Sequence, residues 1–349
     1  MKLIKKVLYI NANAYLHCDH DAFVIAQTCI NETGEEVKQK HTIPALDVEQ
    51  IIIFGQTTVS SYLLGYCNKH GIALSYISEY GTFYGKLCGS NIGNVLLRME
   101  QYKIASTERK LEIAKSCVLG KSINQKNLLI NASENAETKS RERLIDASCK
   151  IGALLGDIAE AVAVESLRGV EGSIASIYFS AFDDMIKRKD TGMEFIERSK
   201  RPPANCCNAA LSLLYTILIS HCVAALESFG LEPYLGFLHE ILPGRKSLAC
   251  DLVEEFRAPL VDRFILNLIN RKQLTKNDFV TSDGDIRLKD ASRKRVLLLW
   301  EQWKSEKVYF PLYEKEVERK MLPYLQAQLL AQYIRGDIPE YPPYVWEVR

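Results

Sequence analysis

The residue with the clearest chemical potential is Glu171, which lies in the segment Arg168–Gly172. On a helix that begins near residue 170, its neighbours on one face are Ala175, Tyr178 and Phe182, at i+4, i+7 and i+11. This stripe predicts that Glu171 faces the protein interior, where a carboxylate needs an arginine or a metal ion as its partner. The alternative is a first-turn glutamate that is favoured only by the helix dipole.

A second segment carries a histidine and carboxylates at spacings that suit a divalent cation. Ser247 is predicted to N-cap a helix on which Asp251 and Glu254, three residues apart, adjoin. Together with His239, they offer the nitrogen and oxygen ligands of such a cation. In the alternative, Asp251, Glu254 and Glu255 form a solvated charged face and His239 is a capped loop residue. The spacing alone does not establish that residues 171, 239 and 254 meet in space.

A third polar group, His17–Asp21, looks rich in ligands but falls where a turn between two strands is expected. We therefore predict an exposed turn there. His41, His70 and His221 are interpreted as structural residues. The sequence has no P-loop, G-x-S-x-G or G-x-G-x-x-G motif, so it gives no support to nucleotide-driven or serine-hydrolase chemistry.

The charge of the chain restricts how it can bind nucleic acid. Its 349 residues include 44 lysines and arginines and 43 aspartates and glutamates, so the net charge is only +1. Any DNA site must come from local basic groups, whose alternative role is a solvated face. These groups are Arg98–Lys121 on a first long helix, Lys187–Lys189 with Arg198–Arg201, and Arg287–Arg295 around a small hairpin. The candidate DNA contacts are Arg98, Lys187, Arg188, Arg245, Lys246, Arg293, Lys294 and Arg295.

The composition is typical of a globular protein of about two domains, with 47% hydrophobic and 25% charged residues. Ten cysteines are present without a C-x-x-C pair, which favours reduced core cysteines over a zinc ribbon or a redox motif. The longest apolar run, Ala209–Leu226, is interrupted by polar residues and falls short of a membrane span. We therefore expect a cytoplasmic protein.

The elements that position these residues change character near residue 94. The first part contains short strands, one helix at Thr58–His70 and a turn at Asn31–Gly34. Helical spacing then dominates, except for a polar loop at Ser122–Thr138, a hairpin at Phe279–Leu288 and an extended tail from residue 337. The predicted strands are Val7–Ile10, Ala22–Ile30, Glu35–Ile43, Ile51–Phe54, Ala73–Ile77 and Phe83–Leu87. The predicted fold class is α+β, with a small β-rich N-terminal domain of residues 1–93 and a larger all-α catalytic domain of residues 94–349.

At these residues the chain resembles a known family, CRISPR-associated protein one, the CRISPR adaptation integrase and endonuclease. Arg168–Gly172, followed by Tyr178-Phe179, resembles its signature helix. Gly236–His239 and Asp251–Arg257 resemble its other two metal-ligand segments. Further matches are Phe83–Leu87, Leu97-Arg98, Gln101, Arg201–Pro203 and Asn208–Leu211, so the resemblance spans nearly the whole chain. The Pro-Gly-Arg-Lys loop after His239 is most similar to the subtype I-C branch.

This resemblance implies a role in antiviral defence. It also implies a homodimer that forms through the β-rich domain. It implies a small ferredoxin-like partner, CRISPR-associated protein two, with which the dimer inserts double-stranded DNA fragments into CRISPR repeat DNA. It also implies that Glu171, His239 and Glu254 are catalytic and bind magnesium or manganese, with Asp251 as a supporting acid.

The implied reaction is the attack of a DNA 3′-hydroxyl on a phosphodiester of the repeat. Because the nucleophile belongs to the substrate, the protein needs no catalytic serine or cysteine, and its task is to hold a cation at the phosphate. Water in place of the 3′-hydroxyl would give endonuclease activity at the same site. Two alternatives stay open: a stand-alone divalent-metal nuclease acting in DNA repair, and a DNA-binding scaffold without catalysis.

Overall fold

The computed structural model describes residues 6–11, 14–30, 36–77, 83–87, 95–199, 203–282 and 285–347. The chain divides into two compact units, Met1–Ile92 and Gly93–Arg349. The predicted turn at Asn31–Gly34, the predicted domain boundary at residues 93 and 94, and the basic residues Lys200 and Arg201 lie outside the described residues.

The described residues of the first unit form two four-stranded sheets and one α-helix. Its elements are β1 (Lys6–Asn11), β2 (Ala14–Asp19), β3 (Ala22–Ile30), β4 (Glu36–Pro44), β5 (Val48–Phe54), β6 (Thr58–Val59), α1 (Ser61–His70), β7 (Ala73–Ile77) and β8 (Phe83–Leu87). One sheet has the strand order β1-β5-β7-β8, in which only β8 is antiparallel to its neighbour, and the other has the order β4-β3-β2-β6. Both sheets and α1 share one core, to which Leu16, Phe23, Ile51, Leu74 and Leu63 contribute.

Strand β2 was missed because its polar residues resemble a turn. In the structure Ala14, Leu16 and Cys18 alternate inward, so the strand continues to Asp19 and only His20 and Asp21 form the exposed turn. The predicted exposed turn is therefore confirmed for its last residues and wrong for the first ones. The predicted helix at Thr58–His70 starts too early, because Ser60 caps it by accepting a hydrogen bond of 3.2 Å from the Leu63 N–H.

The second unit is mostly helical. Its helices are α2 (Val95–Ala105), α3 (Arg109–Ser133), α4 (Thr138–Glu160), α5 (Val164–Ser180), α6 (Cys206–Ser228), α7 (Ser247–Glu254), α8 (Arg263–Asn270), α9 (Asp290–Ser305) and α10 (Leu322–Arg335). A π-helical turn, Arg257–Asp262, joins α7 to α8. The described part of this unit also contains two small antiparallel ribbons, β9 (Phe279–Ser282) with β10 (Asp285–Leu288) and β11 (Lys307–Phe310) with β12 (Lys315–Glu318). The predicted α+β class and the hairpin at Phe279–Leu288 are confirmed.

Two expectations about the first helices of this unit are wrong. The basic segment from Arg98 to Lys121 spans two helices, because α2 ends at Ala105 and α3 begins at Arg109. The predicted loop at Ser122–Thr138 is helical as far as Ser133. Tertiary hydrogen bonds override the low helix propensity of its asparagines, since the Asn124 amide donates to the backbone oxygens of Glu255 (2.8 Å) and Tyr344 (2.9 Å).

Helix α6 is long, apolar and mostly buried. The segment Cys206–Glu227 is long and apolar enough to cross a membrane, which corrects the expectation that it would fall short. In the structure 83% of its most apolar window is buried against the rest of the chain, as in the core helix of a globular protein.

Candidate active site

The three residues singled out as ligands meet at one cavity of the second unit. Glu171, His239 and Glu254 all line a cavity of about 550 Å³, together with Lys121 and Arg257. A second cavity, of about 280 Å³, shares the same three residues and adds Arg168 and Arg245 to its walls. Segments that are distant in the chain thus contribute to one polar site.

Helix α5 presents Glu171 and also anchors the histidine loop. It begins at Val164, six residues before the predicted start, and buries Ile174 and Tyr178, while Glu171 stays a quarter exposed at the cavity. Arg168, one turn before Glu171, donates a hydrogen bond of 2.9 Å from Nε to the Leu238 oxygen. The helix that carries the first carboxylate therefore also holds the residue next to His239.

Asp251 is a fully buried acceptor that organises the histidine loop. Its Oδ1 accepts from the backbone N–H of His239 (2.9 Å) and from the imidazole Nδ1 (2.7 Å). Its Oδ2 accepts from the backbone N–H groups of Phe237 (2.6 Å) and Leu238 (3.1 Å). Because an ionised carboxylate only accepts hydrogen bonds, Nδ1 carries the proton and Nε2 is the nitrogen left to bind a metal.

The start of α7 is packed too closely for any residue larger than glycine at position 236. A Cβ on Gly236 would lie 2.6 Å from Cβ and 2.8 Å from the backbone carbon of Ser247. Ser247 is the first residue of α7 rather than its predicted N-cap, and its hydroxyl donates to the Glu240 oxygen at 2.7 Å. The loop and the helix are therefore locked together on both sides of His239.

Glu254 is buried between two cations. Arg257 Nε lies 3.0 Å from its Oε1 and Lys121 Nζ lies 2.8 Å from its Oε2. Burial alone would raise the pKa of Glu254, but Arg257 and Lys121 outweigh it and lower that pKa well below its usual range. The alternative of a solvated charged face is wrong, since Asp251, Glu254 and Glu255 are all buried.

Lys121, Gln125 and Arg257 are site residues that the sequence reasoning missed. Lys121 was placed only among the basic groups, yet its ammonium is buried between Glu254 and Glu171 and contacts an oxygen of each. Gln125 fell in the segment predicted as a loop, although it follows Lys121 by one helical turn and lines the same cavity. The available signals were the i, i+4 spacing of Lys121 and Gln125 and the i, i+3 spacing of Glu254 and Arg257.

The donor set fits a hard divalent cation. Two carboxylates and an imidazole supply the oxygen and nitrogen ligands that magnesium and manganese accept. Oε2 of Glu254 is buried without a partner of hydrogen-bonding geometry, although Lys121 lies at ion-pair distance from it. Among the described residues, no three acidic, histidine or cysteine side chains lie close enough together to hold a metal ion as they stand, and Lys121 lies between the two carboxylates.

The segment 341–346 contacts the site through hydrogen bonds to the buried carboxylate of Glu255. This buried carboxylate accepts hydrogen bonds from the Tyr341 hydroxyl (2.6 Å), the Gln326 amide (2.9 Å) and the Tyr344 N–H (2.6 Å). Burial raises the pKa of Glu255 to about 7, against the lowering effect of these hydrogen bonds. The Asn124 amide oxygen accepts from the Trp346 N–H at 2.7 Å, so the same segment binds α3. Residues 341–347 form neither helix nor strand, and this segment links the helices that carry Lys121 and Glu254.

A further buried acid, Asp262, contacts the cavity through Tyr215. Asp262 accepts hydrogen bonds from the hydroxyls of Tyr178 (2.8 Å) and Tyr215. Burial raises the pKa of Asp262 to about 6, although both tyrosines act in the opposite direction. Arg257 lies over the Tyr215 ring at 4.4 Å from its centroid, so this network also fixes the arginine that holds Glu254.

The candidate DNA contacts fall into different environments. Arg245 reaches the site, because it lines the smaller cavity beside Glu171. Arg98 donates to the Gly230 oxygen at 3.2 Å, and Arg293 is buried with Asp290 at 3.2 Å, so both side chains hold the fold. The pairing of both residues and the burial of Arg293 argue against a role for them in DNA contact. The remaining candidates are exposed or half-buried: Lys187, Arg188, Lys246, Lys294 and Arg295.

Comparison with known proteins assigns the fold and the family. A family model described as CRISPR associated protein Cas1 matches residues 8–302. A CRISPR-associated endonuclease Cas1 of Rhodospirillum rubrum is 42% identical over 315 residues, which cover 88% of this chain and 91% of the relative. A second one, of Chlorobaculum tepidum, is 39% identical over 311 residues, with the same coverage of 88% and 91%.

Solved structures have the same fold at lower identity. A CAS1 protein from Thermotoga maritima matches with a TM-score of 0.79 and 22% identity, covering 98% of this chain and all of that one. A casposase bound to its integration product matches with a TM-score of 0.82 and 23% identity, covering 97% and 92%. The α+β fold of this chain is thus shared with these solved structures. This chain belongs to the CRISPR-associated Cas1 family.

Proposed function

We propose that this protein is a CRISPR spacer-acquisition integrase, a metal-dependent DNA endonuclease and strand transferase that joins DNA 3′-hydroxyls to the CRISPR repeat. The observation that carries the proposal is the meeting of Glu171, His239 and Glu254 at one cavity. The names of the relatives support the endonuclease activity. The casposase of the same fold, which was solved with its integration product bound, supports the integration reaction.

In the proposed reaction, Glu171, His239 and Glu254 hold the metal, and Asp251 fixes His239 with Nε2 free to bind it. A bound magnesium or manganese ion would polarise the scissile phosphodiester and stabilise the attacking and leaving oxygens. Arg257 keeps Glu254 ionised, since its charge lowers the pKa of that carboxyl against the effect of burial. Arg168 and Arg245, which line the smaller cavity, are placed to neutralise phosphates of the bound DNA.

We further propose that the protein acts in the cytoplasm as a homodimer with the small ferredoxin-like partner CRISPR-associated protein two. A solved Cas6-RT-Cas1–Cas2 complex contains a chain that matches this one with a TM-score of 0.80, which supports this partner. The loop after His239, with Pro243 and Gly244 before Arg245, supports our proposal that the chain belongs to the subtype I-C branch.

The proposal is tested by strand transfer of a labelled DNA fragment into a repeat-containing plasmid, with the partner protein and magnesium. Glu171→Gln and His239→Ala are expected to lose at least about a hundredfold in rate, because each removes a ligand of the reaction's cation. Glu165→Gln, an exposed change on the same helix, is the matched control and should retain the parent rate. Full activity in either site variant would refute the ligand assignment. Cleavage without any dependence on the partner or the repeat would instead indicate a stand-alone nuclease.

A further inference from the structure

Both carboxylate oxygens of Glu254 already have a cation beside them. Arg257 Nε lies 3.0 Å from Oε1, and Lys121 Nζ lies 2.8 Å from Oε2. The same Lys121 ammonium contacts Oε1 of Glu171, and it is almost completely buried. Divalent cations bind carboxylate oxygens at about 2.0–2.6 Å. A metal shared by Glu171 and Glu254 therefore competes for the oxygens that these side-chain cations occupy.

Of these two side-chain cations, Lys121 is the one that can move away from Glu254. The Arg257 guanidinium is fixed on a second side by the Tyr215 ring, at 4.4 Å from its centroid. Lys121 ends a flexible side chain, and its contact with Glu254 Oε2 lacks hydrogen-bonding geometry. Its ammonium is paired with both carboxylates, Glu254 Oε2 at 2.8 Å and Glu171 Oε1, so its position depends on those two side chains.

We propose that Lys121 is the resident cation of the metal-free site. It holds Glu171 and Glu254 together until a divalent cation binds, and it then leaves at least one of the two carboxylates. This inference rests on the proposed function, since it concerns the same metal site. Two consequences follow: Lys121 weakens metal binding by competition, and its released ammonium becomes available at the cavity wall for a DNA phosphate.

The first experiment measures manganese affinity by the loss of the free Mn²⁺ signal in electron paramagnetic resonance. Lys121→Met keeps the length of the side chain and removes its charge. We expect it to bind Mn²⁺ at least about tenfold more tightly than the parent, because an ammonium a few ångströms away repels the ion. The matched control is Lys110→Met, an exposed lysine on the same helix, which should leave the affinity within twofold of the parent.

The second experiment uses the unmodified protein, so it does not depend on the folding of a variant. Lysines are acetylated briefly with and without saturating Mn²⁺, and the modified positions are quantified by mass spectrometry. Lys121 should be protected without metal and at least about fivefold more reactive with it, because its ammonium is then released from a buried ion pair. The exposed Lys110 should react equally in both conditions and serves as the internal standard.

The outcomes separate this inference from the proposed function. Tighter Mn²⁺ binding by Lys121→Met, or metal-dependent labelling of Lys121 in the parent, supports the resident-cation role. If the parent binds Mn²⁺ but neither the variant affinity nor the labelling changes, this inference is wrong and the metal site stands. If the parent binds no Mn²⁺ at millimolar concentration, the metal site and this inference both fail.

Discussion

Replacement of Asp251 by asparagine tests the organisation of the site without removing a proposed ligand. The carboxylate accepts four hydrogen bonds and is fully buried, and all four donors lie in the segment Phe237–His239. An asparagine keeps one accepting oxygen, so two donors would face an NH₂ group instead of an oxygen. The side chain can rotate, but neither orientation satisfies both pairs of donors.

The expected cost follows from the type of hydrogen bond that is lost. A bond to a charged group contributes about 1.5–3 kcal/mol, and two are lost at a site that water does not reach. We therefore expect Asp251→Asn to reduce the free energy of unfolding of the second unit by about 3–5 kcal/mol. Since Asp251 also orients His239, we expect the affinity for Mn²⁺ to fall by about 10–100-fold.

Urea denaturation followed by tryptophan fluorescence is a suitable assay, because the three tryptophans, Trp300, Trp303 and Trp346, all belong to the second unit. With a slope of about 3 kcal/mol per molar urea, the midpoint should fall by about 1 M or more. Asp146→Asn is the matched control: this exposed residue pairs with Lys150 at 2.7 Å, and its loss should cost less than about 1 kcal/mol. If Asp251→Asn unfolds within about 0.5 kcal/mol of the parent and binds Mn²⁺ equally well, the role given to Asp251 is refuted.

Three further predictions concern packing, pH and assembly. Gly236→Ala should lower the free energy of unfolding of the second unit by several kcal/mol in urea melts, since the backbone of Ser247 cannot move away from the new Cβ. Gly169→Ala, at an exposed position of α5, should leave that free energy unchanged or raise it by up to about 1 kcal/mol. Asp262 has a folded-state pKa of about 6 against a usual 3.8, so its stabilising contribution is complete below pH 4 and is lost as the pH rises through 6. Over that pH range the free energy of unfolding of the parent should fall by about 3 kcal/mol relative to that of Asp262→Asn. Parallel pH profiles of the two free energies would contradict this. Light scattering at micromolar concentration should give the mass of a homodimer, and a monomer across that range would refute the predicted assembly.

The sequence predicts most accurately the strands and helices in which no functional residue interrupts the apolar pattern. Strands Ala22–Ile30, Ala73–Ile77 and Phe83–Leu87 coincide with the predicted bounds, because these short runs are rich in β-branched or aromatic residues. The segment after Ser122 failed because its asparagines normally disfavour helices. Here Asn124 bonds to Glu255 and Tyr344, more than a hundred residues away, and local propensity carries no trace of such partners.

The candidate site was likewise predicted only in part from the sequence. Glu171, His239 and Glu254 could be chosen from their residue types and segments, but their meeting at one cavity depends on the packing of α5, α7 and the loop between α6 and α7. Lys121 was missed although its i, i+4 spacing from Gln125 was a signal, because a lysine among other basic residues is usually solvated. Its role in the site follows only from the burial of its ammonium beside two carboxylates.

The most direct test of the account is where manganese binds in a crystal of this protein. A crystal soaked in Mn²⁺ should give an anomalous difference peak at about 2.0–2.6 Å from a carboxylate oxygen of Glu171, a carboxylate oxygen of Glu254 and Nε2 of His239. A peak coordinated by other residues, or no peak at this cavity at saturating Mn²⁺, would contradict the claim that these three residues form the metal centre of the enzyme.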